Sequence, residues 1–347
     1  MGGTAMKVSL GMRLQAGAWG GGNQFGQVLG DYLRAQGVAV RYDLRERDND
    51  IILLAEPDGT LKISAYTHRD VLKHLLVRNR RAVVVQRFNN TSESRGDAAG
   101  EFNRFRLHAN RIADHSVFVS EWVHQRFVAA GFRSAEVSII HNGGNAALWR
   151  PGTPPADGRL HLITHHWSTH ANKGHAVYQA LDTLLENPNW QAKIAFTFIG
   201  RLPEGMRFRN ARCLEPLAGE ALAAELRQHH IYLSASRHEA GPNHIIEGAL
   251  SGLPLLYLQS GATPEYAEGF GLSFTPETFA ARLAKMLTEY PTWRARMADY
   301  PFTAERMCSH YLALFERLLQ RRDALRRQRT WWKDPQWLIQ TWRYRAK

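Results

Sequence analysis

The chain has 347 residues, 44% hydrophobic and 22% charged, with a formal net charge of +12, a size and balance that suit two globular domains, each with its own core. No stretch approaches the roughly 18 uninterrupted apolar residues of a spanning helix. The segment from Met1 to Lys7 lacks the layout of a secretory signal, so a cytoplasmic location is expected, and Cys213 and Cys308 stand in unrelated contexts, which argues against a disulfide framework or a zinc site.

In chain order, short β-like runs alternate with amphipathic helices, the pattern of parallel sheets covered by helices. A strand from Lys7 to Met12 leads into the loop Gly20-Gly21-Gly22-Asn23-Gln24 and a helix from about Phe25 to Gln36. Strands follow at Val38 to Tyr42, Ile51 to Leu54 and Ala82 to Gln86, then a polar stretch and a helix from about Glu101 to Ala113. The strand His115 to Ser120, a helix Glu121 to Ala130 stopped by Gly131, and the strand Val137 to Ile140 close this half. The stretch 149–155, with three prolines and a glycine, marks the expected boundary. Beyond it the alternation restarts, with strands at His161 to His165, Ile194 to Ile199, Ile231 to Ser236 and Leu255 to Leu258. The expected division is 1–150, 151–310 and a C-terminal helix with a basic, aromatic tail over 311–347. Two α/β halves joined by a hinge imply a cleft between them, a favoured place for ligands.

Several short motifs carry chemistry. The glycine run could bring the Gly21 and Gly22 amides against a diphosphate; it does not fit G-x-G-x-x-G and lacks the lysine of a P-loop, and a plain turn is the alternative. Asp48-Asn49-Asp50 precedes a strand, whereas ligands of open α/β sheets gather at the opposite, carboxyl ends, so this triplet reads as a solvated turn. Arg87 and Asn89, Ser120, and Asn142 do follow strands, with a surface ion pair, helix capping and turn formation as their respective alternatives. Lys173 precedes a helix start at Gly174, where it could neutralise a phosphate or stand as an ordinary surface lysine. His165 and His166 are adjacent on a strand and point to opposite faces, which speaks against a shared metal.

The segment from Glu239 to Glu247 is the richest. It places two carboxylates around the turn Ala240-Gly241-Pro242-Asn243, between an apolar strand and a helix. Such a turn aims free N–H groups and the positive end of a helix dipole at one place, where phosphate or sugar oxygens bind. Glu239 is expected in the loop and Glu247 in the helix's first turn, both able to accept hydroxyl hydrogen bonds from a polyhydroxyl ligand. Glu247 as a simple helix-start residue is the alternative.

Residues 321–347 hold seven arginines and two lysines against two aspartates, a net +7, interleaved with Trp331, Trp332, Trp337, Trp342 and Tyr344. This mixture suits an anionic membrane surface, and equally a tail packed back on its own protein. Nucleic acid is not expected, because no zinc-finger spacing, RNA-recognition signature or sustained basic heptad pattern is present.

Together these pieces resemble the retaining GT-B glycosyltransferases, in particular the large family of bacterial mannosyl- and glucosyltransferases with an E-x7-E motif. The resemblance runs in order through Val117 to Trp122, Ile139 to Gly143, Lys173-Gly174, Phe196 to Arg201, Glu239 to Glu247, Gly252-Leu253-Pro254 and Gly261 to Glu265. It implies two Rossmann-like domains facing a central cleft, with a UDP- or GDP-sugar held mainly by the second. By the same resemblance Glu239 and Lys173 are the catalytic pair, at the donor sugar and the diphosphate, and Glu247 contacts the ribose. Gly21, Gly22, Arg201, Gly241, Asn243 and His244 complete the donor set, and Arg87, Asn89, Ser120 and Asn142 are the acceptor-side candidates. One departure stands out. Many relatives carry an arginine five or six positions before the lysine, where this chain has Trp167 and Ser168, so diphosphate neutralisation falls to Lys173, the helix start after Pro242, and Arg201 or Arg87. The expected activity is sugar transfer, without metal or cofactor, to a glycan or glycolipid hydroxyl in bacterial surface polysaccharide or lipopolysaccharide assembly, at the inner membrane face. A GT-B sugar-nucleotide epimerase and a non-catalytic nucleotide-sugar binder are the alternatives.

Overall fold

The computed structural model describes residues 5–15 and 21–344; Gly20 lies outside them. The chain forms two compact units, one comprising the chain up to His141 together with the segment from Glu305 onward, the other Asn142–Ala304. The proline-rich stretch 149–155 lies inside the second unit, where Trp149 is buried and Arg227 packs against Gly152.

In the first unit, β1 (Lys7–Leu10), α1 (Gly21–Ala35), β2 (Ala39–Arg41), β3 (Ile51–Leu54), α2 (His68–Val77), β4 (Val83–Phe88), α3 (Glu101–Asn110), β5 (His115–Phe118), α4 (Glu121–Ala129) and β6 (Val137–Ile139) follow in sequence. Every pairing is parallel, in a six-stranded sheet of order β2-β1-β3-β4-β5-β6. Parallel strands buried on both faces need continuous apolar runs, and Ile51 to Leu54 is such a run, buried throughout. Helix α1 is described from Gly21 onward, so Gly21 and Gly22 lie in a helix rather than a loop. The Asn23 side-chain amide accepts from the Gln15 N–H at 2.8 Å and donates to the Gln15 carbonyl at 3.0 Å, tying the helix to the segment after β1. Helix α2 is additional, and its start is fixed by a capping box in which Thr67 and Asp70 satisfy each other's backbone N–H groups.

The second unit repeats the plan. Its elements are β7 (Leu160–His166), α5 (His175–Leu184), α6 (Pro188–Gln191), β8 (Ile194–Gly200), β9 (Arg212–Leu214), α7 (Gly219–Leu226), β10 (Ile231–Ser234), α8 (Asn243–Leu250), β11 (Leu255–Leu258), α9 (Thr263–Ala267), β12 (Gly271–Phe274) and α10 (Phe279–Arg296). The sheet order is β12-β11-β10-β7-β8-β9, again all parallel. This is the doubly wound order of a dinucleotide-binding fold, and the chain reverses direction across the sheet between β7 and β10.

Three helices follow, α11 (Ala304–Gln320), α12 (Arg322–Gln328) and α13 (Pro335–Arg343). Met307, Tyr311, Leu314, Phe315 and Leu318 of α11 join the core built on β1, β3 and α1. The basic, aromatic tail is also packed. Trp331 and Trp337 lie in the core with Ile52, Leu54, Leu72, Leu75 and Val84, and the Trp337 indole N–H donates to the His108 carbonyl at 2.9 Å. Arg329 grips the buried Asp114 carboxylate at 2.7 and 2.8 Å and also donates to the Ala82 carbonyl. The tryptophans of the tail thus have two fates: Trp331 and Trp337 are interior, whereas Trp332 and Trp342 are exposed.

Replacing Trp337 by alanine is expected to remove about 3–5 kcal/mol of stability, as for other buried aromatics, while Trp342→Ala changes it by no more than about 0.5 kcal/mol. Urea denaturation of the two variants checks the contrast. Equal, small effects would show that the tail is not part of the core.

Candidate functional site

The switch between β7 and β10 opens a crevice at the carboxyl ends of these two strands, because the connections leaving them run to opposite faces of the sheet. Two glycines set how closely the chain segments above that crevice approach. Gly174, in the left-handed region at φ 72°, lies so near the Ala235 carbonyl that a Cβ would stand 2.0 Å from its oxygen. Gly261, at φ 63°, also lies tight on the backbone of Glu239, with 2.5 Å from a Cβ to the Glu239 nitrogen. Neither position admits a side chain. The loop after β10 is held further by the Arg237 N–H donating to the Asn172 carbonyl at 2.6 Å and the Ala262 N–H donating to the Glu239 carbonyl at 2.8 Å. His238 turns the chain with a positive φ of 54°, a conformation uncommon outside glycine that His tolerates better than most.

This geometry brings Lys173 and Glu239 together: the Lys173 Nζ donates to the Glu239 Oε1 at 2.7 Å. Burial alone would raise the Glu239 carboxyl, but the Lys173 ammonium, together with smaller contributions from His244 and the Ser236 hydroxyl, outweighs it and holds the group below the usual carboxylate value. The carboxylate is therefore charged at neutral pH, and the ammonium keeps further N–H donors beyond the one used here.

Glu247 stands in the second turn of α8, not the first as expected, because the helix begins at Asn243. The helix can lie against β10 because Gly248 faces the Tyr232 ring, where a Cβ would stand 2.5 Å from the ring carbon. One Glu247 oxygen, Oε2, is 2.9 Å from the His165 Nε2, and the His165 Nδ1 is 3.0 Å from the Tyr232 hydroxyl. The neighbouring His166 turns to Tyr178, with Nε2 2.6 Å from the hydroxyl, and that hydroxyl accepts the Ala235 N–H at 2.9 Å. His244, the second residue of α8, bonds the Ser234 hydroxyl through Nε2 at 2.8 Å. Burial pushes the His166 imidazole well below its usual value and the His244 imidazole down to about 3, so both are neutral at pH 7.

Of the residues expected from sequence, Lys173, Glu239, Gly241, Asn243, His244 and Glu247 all gather here. Asn142 joins them: its amide donates to the Asn243 Oδ1 at 3.1 Å and the Gly241 carbonyl at 3.4 Å, and its backbone N–H donates to the Tyr266 hydroxyl at 2.9 Å. It thus braces the Gly-Pro turn of the second unit. Arg201 is exposed just after β8. The remaining candidates lie in the first unit. Gly21 and Gly22 lie in α1. Arg87, expected to follow its strand, is inside β4 and only 3% exposed, with its guanidinium 3.8 Å from the Phe25 ring centre; the strand continues to Phe88 because its whole length is buried. Asn89 is half-buried just beyond it. Ser120 caps α4, accepting the Val123 N–H at 3.2 Å.

No protein-family model matches the sequence, and no curated protein matches it. Solved structures do. A glycosyltransferase from Rickettsia africae superposes with a TM-score of 0.66 at 14% identity, covering 91% of this chain and 99% of that one. The fold is the GT-B fold of glycosyltransferases. HepE of Anabaena, solved in complex with UDP-glucose, matches with a TM-score of 0.63 at 14% identity over 90% of this chain and 100% of its own. Sucrose-phosphate synthase from Thermosynechococcus elongatus matches at 0.62 and 14% identity, over 91% and 99%.

Within this GT-B fold the side chains of the candidate site that sequence reading missed are Tyr232, Tyr178 and the placement of His165. His165 and His166 stood out only as a metal candidate. The signal that separates them is their alternation on β7, which sends one toward Tyr232 and the other toward Tyr178.

The buried neutral histidines give a pH prediction. A base whose folded pKa is depressed binds its proton only in the unfolded chain between the two pKa values, so stability is full above about pH 6.5 and falls as pH decreases toward the folded value. For His244 the window runs from its usual 6.5 to about 3. The midpoint of urea denaturation is expected to fall through this range, and His244→Gln to reduce the slope by up to about 1.4 kcal/mol per pH unit. An unchanged slope in the variant would show that His244 is not held neutral.

Proposed function

We propose that this protein is a retaining glycosyltransferase that moves a sugar from a UDP- or GDP-sugar to a hydroxyl of a glycan or glycolipid. The observation that carries the reading is the Lys173–Glu239 pair at the carboxyl ends of β7 and β10, beside the start of α8. Departure of the nucleoside diphosphate is the hard step, since negative charge grows on the leaving phosphate while positive charge grows on the sugar. Lys173, with donors to spare, and the amides at Asn243 and His244 meet the first charge; Glu239 orients the sugar and offsets the second. Glu247 takes the nucleoside ribose. The C1–O bond to phosphate breaks as the C1–O bond to the acceptor forms on the same face, and the departing phosphate oxygen takes the acceptor's proton. No protein base is required. The UDP and UDP-glucose complexes of HepE support this donor class.

The test is to replace Lys173 and Glu239 separately by alanine and follow donor turnover. Each variant is expected to lose about 100- to 1,000-fold in kcat, the scale of one lost electrostatic donor at a developing charge. Near wild-type rates in both would sink the assignment. Binding without turnover in the wild type would instead indicate a nucleotide-sugar binding protein, and conversion of the donor without an acceptor an epimerase.

We place the acceptor in bacterial surface polysaccharide or lipopolysaccharide assembly, with the first unit resting on the inner membrane face. Among the described residues no helix is long and apolar enough to cross a membrane. Helices α2 and α13 instead lie side by side and flank a groove of about 430 Å³ lined by Leu72, Leu76, Leu338, Ile339, Trp342 and Arg343. In it Trp342 is 52% and Ile339 51% exposed, and Val77 at the end of α2 and Trp332 just before α13 are 68% and 58% exposed. Arg343 lines the groove, Arg69 lies over the Trp342 ring and Lys333 over the Trp332 ring, whereas Asp70 is engaged by Thr67 and Asp334 by Arg111. An apolar ridge fringed by cations complements an anionic bilayer, to which each cation near the surface contributes about 1 kcal/mol. The double variant Ile339→Ser, Trp342→Ser is expected to lower sedimentation with phosphatidylglycerol-rich vesicles at least about fivefold while leaving the fold intact. Unchanged sedimentation, or none in the wild type, would overturn the membrane assignment.

A further inference from the structure

Glu247 is not aimed by its own helix alone. Its side chain ends in a broad, soft torsion, and a carboxylate that must meet two vicinal ribose hydroxyls at fixed angles gains from being held. The holder is a chain of three side chains. The Tyr232 hydroxyl accepts the backbone N–H of His165 at 3.4 Å and lies 3.0 Å from the Nδ1 of the same residue, so its single proton is directed to that nitrogen. With Nδ1 accepting, the ring proton resides on Nε2, which donates to the Glu247 Oε2 at 2.9 Å. Burial holds the Tyr232 phenol far above its usual value, so it remains a donor. The side chains of His165 and Glu247 are 5% and 12% exposed, which shields this contact from competing water. Gly248 completes the arrangement, since any side chain there would push α8 off the Tyr232 ring.

We infer that His165 is a positioning residue that fixes the Glu247 carboxylate, leaving Oε1 to accept the ribose hydroxyls of the donor nucleotide, and so sets the preference for ribo- over deoxyribonucleotides. The inference rests on the donor-site reading above and adds a specificity device to it. His165 itself touches no substrate. Its effect passes entirely through Glu247, and that makes it separable from ordinary structural support.

The experiment measures the dissociation constants of UDP and GDP, each beside its 2′-deoxy form, by titration calorimetry on the full chain. The proteins compared are wild type, His165→Leu, His165→Gln, Glu247→Ala and the double variant His165→Leu, Glu247→Ala. Loss of one hydrogen bond to a carboxylate is expected to weaken the preferred ribonucleotide about tenfold in His165→Leu while changing its 2′-deoxy form less than about twofold. His165→Gln, which retains an N–H donor, is expected to recover most of the affinity. In the Glu247→Ala background, His165→Leu is expected to have no further effect, the signature of two residues acting as one. Should the leucine variant fail to fold, the glutamine variant is compared with His165→Asn, whose amide is too short to reach Glu247, and the same ribose-dependent loss is expected. Equal losses on the ribo- and deoxy-forms, or additive losses in the double variant, would overturn the inference and leave the donor site standing. If the wild type binds neither UDP nor GDP, the donor-site reading fails and this inference falls with it.

Discussion

The approach of Gly174 to the Ala235 carbonyl is the constraint on which the candidate site depends. A chain segment leaving β7 and another leaving β10 have no sequence reason to meet, and a single Cβ at Gly174 would separate them, since it would stand 2.0 Å from that oxygen. Contact at this point decides where Lys173 ends, and through Lys173 the ionisation of Glu239. The second glycine contact, Gly261 on the Glu239 backbone, closes the other side of the same loop. Backbone proximity, not side-chain attraction, therefore builds the site. The ion pair follows from it, and because removing one partner of a largely buried pair strands the other charge, the pair in turn keeps the loop in place.

Around that pair the protein has arranged neutral polar groups. His166, His244, Tyr178 and Tyr232 are all held in their uncharged forms by burial. Each is bonded to another polar group, so the desolvation cost of keeping such rings inside is met by hydrogen bonds rather than by charge. The consequence is electrostatic: among these side chains Lys173 and Glu239 carry the charge, and neutral dipoles around them do little to screen it. In a site of low dielectric, a fixed ammonium acts more strongly on a nearby phosphate than it would in water.

Much of this was legible in the sequence, for reasons that can be located. The strand ends and the turn from Ala240 to Asn243 are local features, and the family resemblance assigned Lys173, Glu239 and Asn243 to one donor site. The partners were not legible because they are products of sheet order. His165 meets Tyr232 only because β7 pairs with β10, with Tyr232 beside Ile163 in register, and nothing near residue 165 in the chain specifies residue 232. Asn142 was expected with the first half and braces the second. Arg87 was expected just beyond its strand, yet β4 is buried along its full length and carries the guanidinium over Phe25. Helix α2 carried a readable start in Thr67 and Asp70, a capping box with aspartate where glutamate is usual, and that signal was overlooked.

The C-terminal tail shows why composition alone left two readings open. Its tryptophans alternate in fate along a few turns of helix: Trp331 and Trp337 enter the core, while Trp332 and Trp342 do not. An amphipathic segment of this kind satisfies packing with one face, and the second face is then free to differ in chemistry. Here the packed face is secured by Arg329 on Asp114 and by the Trp337 indole on His108, which docks the tail. Docking alters the meaning of the exposed face. A loose basic tail would have to be ordered before it could contact a surface, at a cost in conformational entropy for every residue fixed; a docked one presents Ile339, Trp342 and Arg343 already in place beside Leu76. Packing back and contacting a surface are therefore not rivals in this chain, since the first supplies the preorganisation from which the second would gain.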